Sequence, residues 1–118
     1  MIRLVSPDEA QPTPLPVQQA VAYINANFRS SLTLDELAEK LSFSPNYLGQ
    51  LFKSQTGSTF NEYINTLRLK YACQLLAATD LSVKEVAFQS GYGSTEYFLY
   101  IFKKKTMITP GEYRNQNK

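Results

Sequence analysis

From residue 17 onward apolar residues recur three and four positions apart, the spacing of one helix face, and no alternating stretch is long enough to argue for a sheet. Helix starts are marked by Ser or Thr followed three residues later by Glu, at Thr33/Glu36, Thr59/Glu62, Ser82/Glu85 and Thr109/Glu112. In such a capping box the hydroxyl accepts from a free first-turn amide while the carboxylate reaches back to the cap. Ser44 ahead of Pro45, and Ser94, supply two further starts; Pro45 stands at the first helical position, where a missing N–H loses nothing. With an amphipathic opening segment over residues 17–28, the pattern predicts an all-α fold of seven helices joined by short links. Residues 1–16 hold Pro7, Pro12, Pro14 and Pro16 without helical periodicity, the composition of an arm or linker, so the domain proper is expected over residues 17–116.

The chain repeats itself. Residues 44–53 realign with 94–103 at a constant offset of 50, matching Ser44, Tyr47, Phe52 and Lys53 to Ser94, Tyr97, Phe102 and Lys103, and Glu62/Tyr63 to Glu112/Tyr113. Upstream, residues 32–38 pair with 81–87 at an offset of 49, which puts one extra residue between Ala87 and Ser94. Each copy reads as a short capped helix, a turn and a longer helix, a helix-turn-helix whose second helix is built to enter a DNA major groove. The copies are expected over residues 33–57 and 82–107, with a connecting helix over 59–78 and a C-terminal helix over 109–116.

A reading helix needs one face to seat it and another for base edges. Tyr47, Leu48, Leu51 and Phe52 form the expected seat, leaving Asn46, Gly49, Gln50 and Lys53 outward at i, i+3, i+4 and i+7, behind Pro45. Asn and Gln amides suit the N6/N7 edge of adenine, and Lys53 suits guanine or phosphate. An ordinary solvated face has the same composition; its recurrence behind a second capped short helix favours DNA. In the second copy Ser94 and Thr95 open the helix and the outward positions are Glu96, Leu99, Tyr100 and Lys103. These lie in an apolar run, residues 97–102, that periodicity alone would equally allow as a buried strand; the repeat register argues for a helix. Leu99 suits a thymine methyl, Tyr100 a phosphate and Glu96 cytosine N4. Alternatively, this helix positions more than it specifies, or Leu99 and Tyr100 form an apolar patch for a protein such as RNA polymerase. Lys103, Lys104 and Lys105 match a helix C-terminus electrostatically, and Lys104 is the expected phosphate contact.

Composition narrows the chemistry. The 118 residues are 43% hydrophobic, enough for one domain with a real core. A net charge of +2 makes no case for nucleic acid by itself, so that case rests on placement. There is no histidine, and Cys73 is the sole cysteine, expected to be a small buried hydrophobe. No metal, cofactor or catalytic site is expected, nor a signal peptide or membrane span; the chain reads as a cytoplasmic, nucleoid-associated, non-enzymatic protein.

Tyr47-Leu48, Phe52-Lys53, Thr56-Gly57, Phe60 with Tyr63, Arg68, Ala72, Leu75-Leu76, Val86-Ala87, Gly91-Tyr92, Tyr97-Phe98, residues 102–104, Thr109-Pro110 and Tyr113-Arg114 together resemble the signature of the AraC/XylS family of bacterial transcription regulators, over residues 17–115. The resemblance implies two helix-turn-helix units bridged by a long helix, inserting into successive major grooves on one face of double-stranded DNA. Family members usually carry this domain behind a sensing or dimerising domain, while a few consist of little more than the domain itself; with an arm that resembles a truncated linker, a fragment of a larger regulator is expected. Family recognition helices often carry Arg where Gln50 and Tyr100 stand, so an adenine preference is expected in the first half-site. Arg68 is expected to bridge the units structurally. Gly57 is expected as a left-handed cap, whereas its repeat partner Met107 is expected to end its helix by another route.

Overall fold

The computed structural model describes residues 14–117. Among these are seven helices and no strand: α1 Leu15–Asn27, α2 Leu34–Lys40, α3 Pro45–Thr56, α4 Phe60–Ala78, α5 Val83–Gln89, α6 Thr95–Thr106 and α7 Pro110–Asn117. Most of the expected arm, residues 1–13, lies outside the described residues. Helix α1 begins two residues before the expected start because Pro16 fits the first turn, where no N–H is needed; the Pro14 carbonyl accepts from Val17 and Gln18.

Three of the four capping boxes close in both directions, at Thr59/Glu62, Ser82/Glu85 and Thr109/Glu112. At Thr33 the hydroxyl accepts from the Glu36 amide at 3.1 Å, but it donates its own proton to the Glu36 carboxylate, which leaves the reciprocal backbone bond unmade. Thr59 and Thr109 donate their backbone N–H to Glu62 and Glu112 at 2.8 Å, and these bonds hold both carboxyls below the usual carboxylate range.

The side chains gather into two cores. Val17, Ala20, Ile24, Leu37, Ala38, Leu48, Phe52, Phe60 and Ile64 form the first; Ala72, Leu76, Val86, Ala87, Tyr92, Phe98 and Phe102 form the second. The duplication therefore runs deeper than the helix-turn-helix pair. Val17, Ala20 and Ile24 on α1 have the spacing of Leu69, Ala72 and Leu76 on α4, and Phe60 opening α4 occupies the place of Pro110 opening α7. Phe52 meets Tyr63 edge to face at 5.2 Å, as Phe102 meets Tyr113 at 5.7 Å. The first half of α4 thus closes the first unit as α7 closes the second, while its second half supports the second unit as α1 supports the first. At 19 residues α4 is ~28 Å long, enough to serve both. No helix among the described residues is long and apolar enough to cross a membrane.

Both units use two left-handed residues. Ser42 (φ 65°) and Gly91 (φ 98°) make the turn between the short and long helices, each followed by an amide bonded back across the turn, Phe43 to Ala38 and Tyr92 to Ala87. Since Phe43 answers Tyr92 and Ser44 answers Ser94, the extra residue of the second unit is Gly93. At the far end of the long helices stand Gly57 (φ 81°) and Met107 (φ 71°), whose amides donate to Lys53 and Lys103 carbonyls at 2.8 Å. The expectation that Met107 would escape this conformation is corrected. Thr106 holds the corner as Thr56 does, its hydroxyl 2.8 Å from the carbonyl oxygen four residues back and in contact with the residue two ahead, which forces Met107 through the same φ.

Candidate nucleic-acid interface

Helix α3 is fixed from both ends, with the Ser44 hydroxyl accepting from the Tyr47 amide and Gly57 closing the last turn. Leu48 and Phe52 are fully buried and Leu51 half-buried, but Tyr47, expected in the seat, is 50% exposed and leans on the Phe43 ring at 5.6 Å. A phenol tolerates this edge position because its hydroxyl stays in water while its ring covers apolar surface.

The outward stripe emerges as expected. Pro45, Asn46, Gln50 and Lys53 are exposed, and with Leu34, Gly49 and Ser54 they line an open groove of ≈680 Å³ along α3. Gln50 donates to the Asn46 side-chain oxygen at 3.3 Å, so the two carboxamides stand one turn apart in a preset orientation. At Gly49 a Cβ would come within 3.1 Å of Leu34 Cδ2, the end of a flexible side chain, so the missing side chain lets Leu34 lie close along the groove. Leu34, as the groove's wall, was not legible as part of the site; neither were Thr59 and Asn61, which with Lys53 line its extension toward α4. Asn61 and Asn65 continue on one face of α4 into a crevice shared with Leu32, Ile64, Arg68 and Tyr97, two polar residues at i and i+4 whose spacing was the available signal.

On α6 the Ser94 hydroxyl accepts from Tyr97, and Phe98 and Phe102 are fully buried. Thr95 is half-buried; Glu96, Leu99, Tyr100 and Lys103 are exposed, Leu99 at 41% and Tyr100 at 60%. The helix assignment for residues 97–102 therefore holds, with an apolar residue left on the outer face because the run is longer than one seat requires. Lys104 departs from this stripe. It shares an edge of α6 with Tyr97 and Ile101, beside Lys105 in a crevice that also takes in Gly57 and Glu62, and its ammonium lies 5.6 Å from the Tyr100 ring centre.

Other singled-out residues take structural positions. Arg114 donates from Nε to the Leu76 carbonyl at 3.1 Å, an orphan acceptor near the end of α4. Arg68 donates from Nε to Phe28 and from Nη2 to Ser30 carbonyls, at 2.7 and 2.9 Å. The Cys73 thiol is half-buried, and that burial raises it above the ordinary thiol range, which leaves it a poor nucleophile. Among the described residues no three His, Cys, Asp or Glu side chains converge as metal ligands.

Residues 37–116 match the family model of a helix-turn-helix domain. An AraC-type DNA-binding domain protein from Chromobacterium violaceum superposes with a TM-score of 0.79 at 31% identity, covering 92% of this chain and 95% of that one. The chain belongs to the AraC-type helix-turn-helix family. Within it, the chain is 44% identical over 94 residues to the HTH-type transcriptional regulator YijO of Escherichia coli K12, covering 80% of this chain and 33% of YijO. The DNA-binding domain of the global transcriptional factor AdpA, solved in complex with a target DNA, matches with a TM-score of 0.81 at 28% identity, over 86% of this chain and 91% of that one. The chain thus spans about a third of YijO's length.

Proposed function

We propose that this AraC-type domain, residues 17–116, is the sequence-specific double-stranded DNA reader of a bacterial transcription regulator, laying α3 and α6 in successive major grooves on one face of the duplex. The observation that carries this reading is the duplicated unit, which twice anchors a long helix by two fully buried side chains and twice leaves the opposite stripe exposed. The resemblance to AdpA's domain, solved with its target DNA, supports it.

In the first half-site Asn46 and Gln50 read adenine edges, their mutual hydrogen bond exchanged for bonds to N6 and N7, and Lys53 reaches guanine or a phosphate. Pro45 and Gly49 keep the groove open for the duplex. In the second, Leu99 packs on a thymine methyl, Glu96 accepts from cytosine N4, and Tyr100 with Lys103 and Lys104 meets phosphates, as do the Ser94 and Thr95 hydroxyls. Regulation engages RNA polymerase, and an N-terminal sensing or dimerising part belongs ahead of the proline-rich arm; the domain works in the cytoplasmic nucleoid by binding, without a reaction of its own.

Binding-site selection from random duplex DNA at two salt concentrations tests this, on the protein and on an Asn46→Ala, Gln50→Ala variant. The expected result is a motif with two patches about one helical turn apart, the first relaxed by the variant, and a salt slope of about −0.9 per neutralised phosphate. Absent or salt-insensitive binding would reject the reading.

A further inference from the structure

Each unit has its own core, and the dominant helix packings stay within the units or run through α4. Along α4, Leu67 packs half-buried against the first core and Leu69 against the second, so the two cores meet at Arg68, with no fully buried residue between Ile64 and Ala72. The units are thus joined chiefly through α4, whereas a reader of two grooves needs a fixed distance and angle between its reading helices.

A second connection joins the two units. The loop 28–30, leaving α1, is clamped between α4 and the turn of the second unit. From α4, Arg68 donates to the Phe28 and Ser30 carbonyls, and Tyr71 meets the Phe28 ring edge to face at 5.8 Å. From the loop, Arg29 donates to the Gln89 carbonyl at 2.7 Å, supplying a cation to the C-terminal end of α5, while its guanidinium lies 4.6 Å from the Tyr71 ring centre. Gly91 completes the clamp: a Cβ there would stand 2.7 Å from the Phe28 carbonyl oxygen and 3.0 Å from Arg29 Cα, so the two units touch backbone to backbone.

We infer that this clamp is the ruler setting the spacing between half-sites, with Arg29 and Arg68 as positioning residues and Gly91 the close approach that admits them. The inference rests on the DNA reading above. Neither arginine belongs to either core or to the exposed stripes of α3 and α6, so loosening the clamp changes which spacings fit, not which bases are read. Each added base pair shifts a half-site by roughly 3.4 Å and a tenth of a turn.

The test is competition binding to operators carrying the selected half-sites at the selected spacing and at one and two base pairs more or fewer. The native chain is expected to disfavour a one-base-pair change roughly tenfold, the scale of a mismatched base pair. In Arg29→Ala, and in Arg29→Ala with Arg68→Met, that preference is expected to fall to about threefold or less, with base preference within each half-site intact. Arg29 is exposed, so the single variant stands if the double variant does not fold. Unchanged spacing preference in the single variant would overturn the inference, as would equal loss of base preference in both half-sites. A native chain that selects no DNA motif would instead overturn the DNA reading.

Discussion

Met107 carries a Cβ through a left-handed corner that its repeat partner turns with glycine, and Met107→Gly is expected to stabilise the protein. A side chain in that conformation costs about 1–2 kcal/mol. Removing it gives the unfolded chain extra freedom, which returns about 0.5–1 kcal/mol. The methionine is 79% exposed, so little burial is forfeited. The net expectation is a gain of roughly 0.5–1 kcal/mol, or about 3–5 °C in melting temperature for a domain of this size. The mirror change, Gly57→Ala, should cost a similar amount through the backbone alone, because nothing lies within 4 Å of the added Cβ. Thermal and urea unfolding of both variants, followed by circular dichroism, measures this. A melting temperature unchanged or lowered by Met107→Gly would refute the account of that corner.

Glu62 and Glu112 have folded pKa values below their ordinary ones, first because the capped backbone N–H donates to each. Their stabilisation is therefore complete above the unfolded carboxylate range and is lost as pH falls through the folded values. A Glu62→Gln, Glu112→Gln variant keeps the hydrogen bonds without titrating, so urea denaturation from pH 5 down to pH 3 should show a shallower loss of stability than in the native chain; an equal loss would contradict the assignment. Arg114→Met strands the Leu76 carbonyl and should cost about 2 kcal/mol while leaving the salt slope of DNA binding unchanged; a slope smaller by about 0.9 would place Arg114 at a phosphate instead. Gly49→Ala should gain up to about 0.5 kcal/mol, since helix propensity favours alanine and the half-buried Leu34 side chain can yield, yet it should weaken the first half-site by narrowing the groove, as paired melting and binding measurements would show.

Much of the α3 face was legible because helical spacing and one buried anchor pair determine which residues face outward. Asn46, Gln50 and Lys53 needed only Leu48 and Phe52 to be placed. Tyr47 was misplaced for the same reason: an aromatic ring counts as apolar in a pattern, whereas its exposure depends on whether a neighbour covers it, and Phe43 covers only part. Lys104 shows the converse. As one of three lysines closing a helix it reads as charge matched to the dipole and as a phosphate contact, but nothing in the pattern shows that its edge of α6 lines a crevice beside Gly57 and Glu62, residues of the other unit.

By itself, then, the sequence determined what is local: seven helices from periodicity and caps, the duplication from register, and the outward stripe of α3, because backbone bonds and first-turn amides are satisfied within a few residues of where they arise. Only the tertiary structure decided how α4 divides between two cores, why Gly49 and Gly91 lack side chains, and what Arg29, Arg68 and Arg114 hold. The arginine bonds and the Gly91 approach rest on carbonyl oxygens and close contacts between segments about 40 to 60 residues apart, and an unpaired acceptor leaves no mark on the sequence until the chain has folded around it.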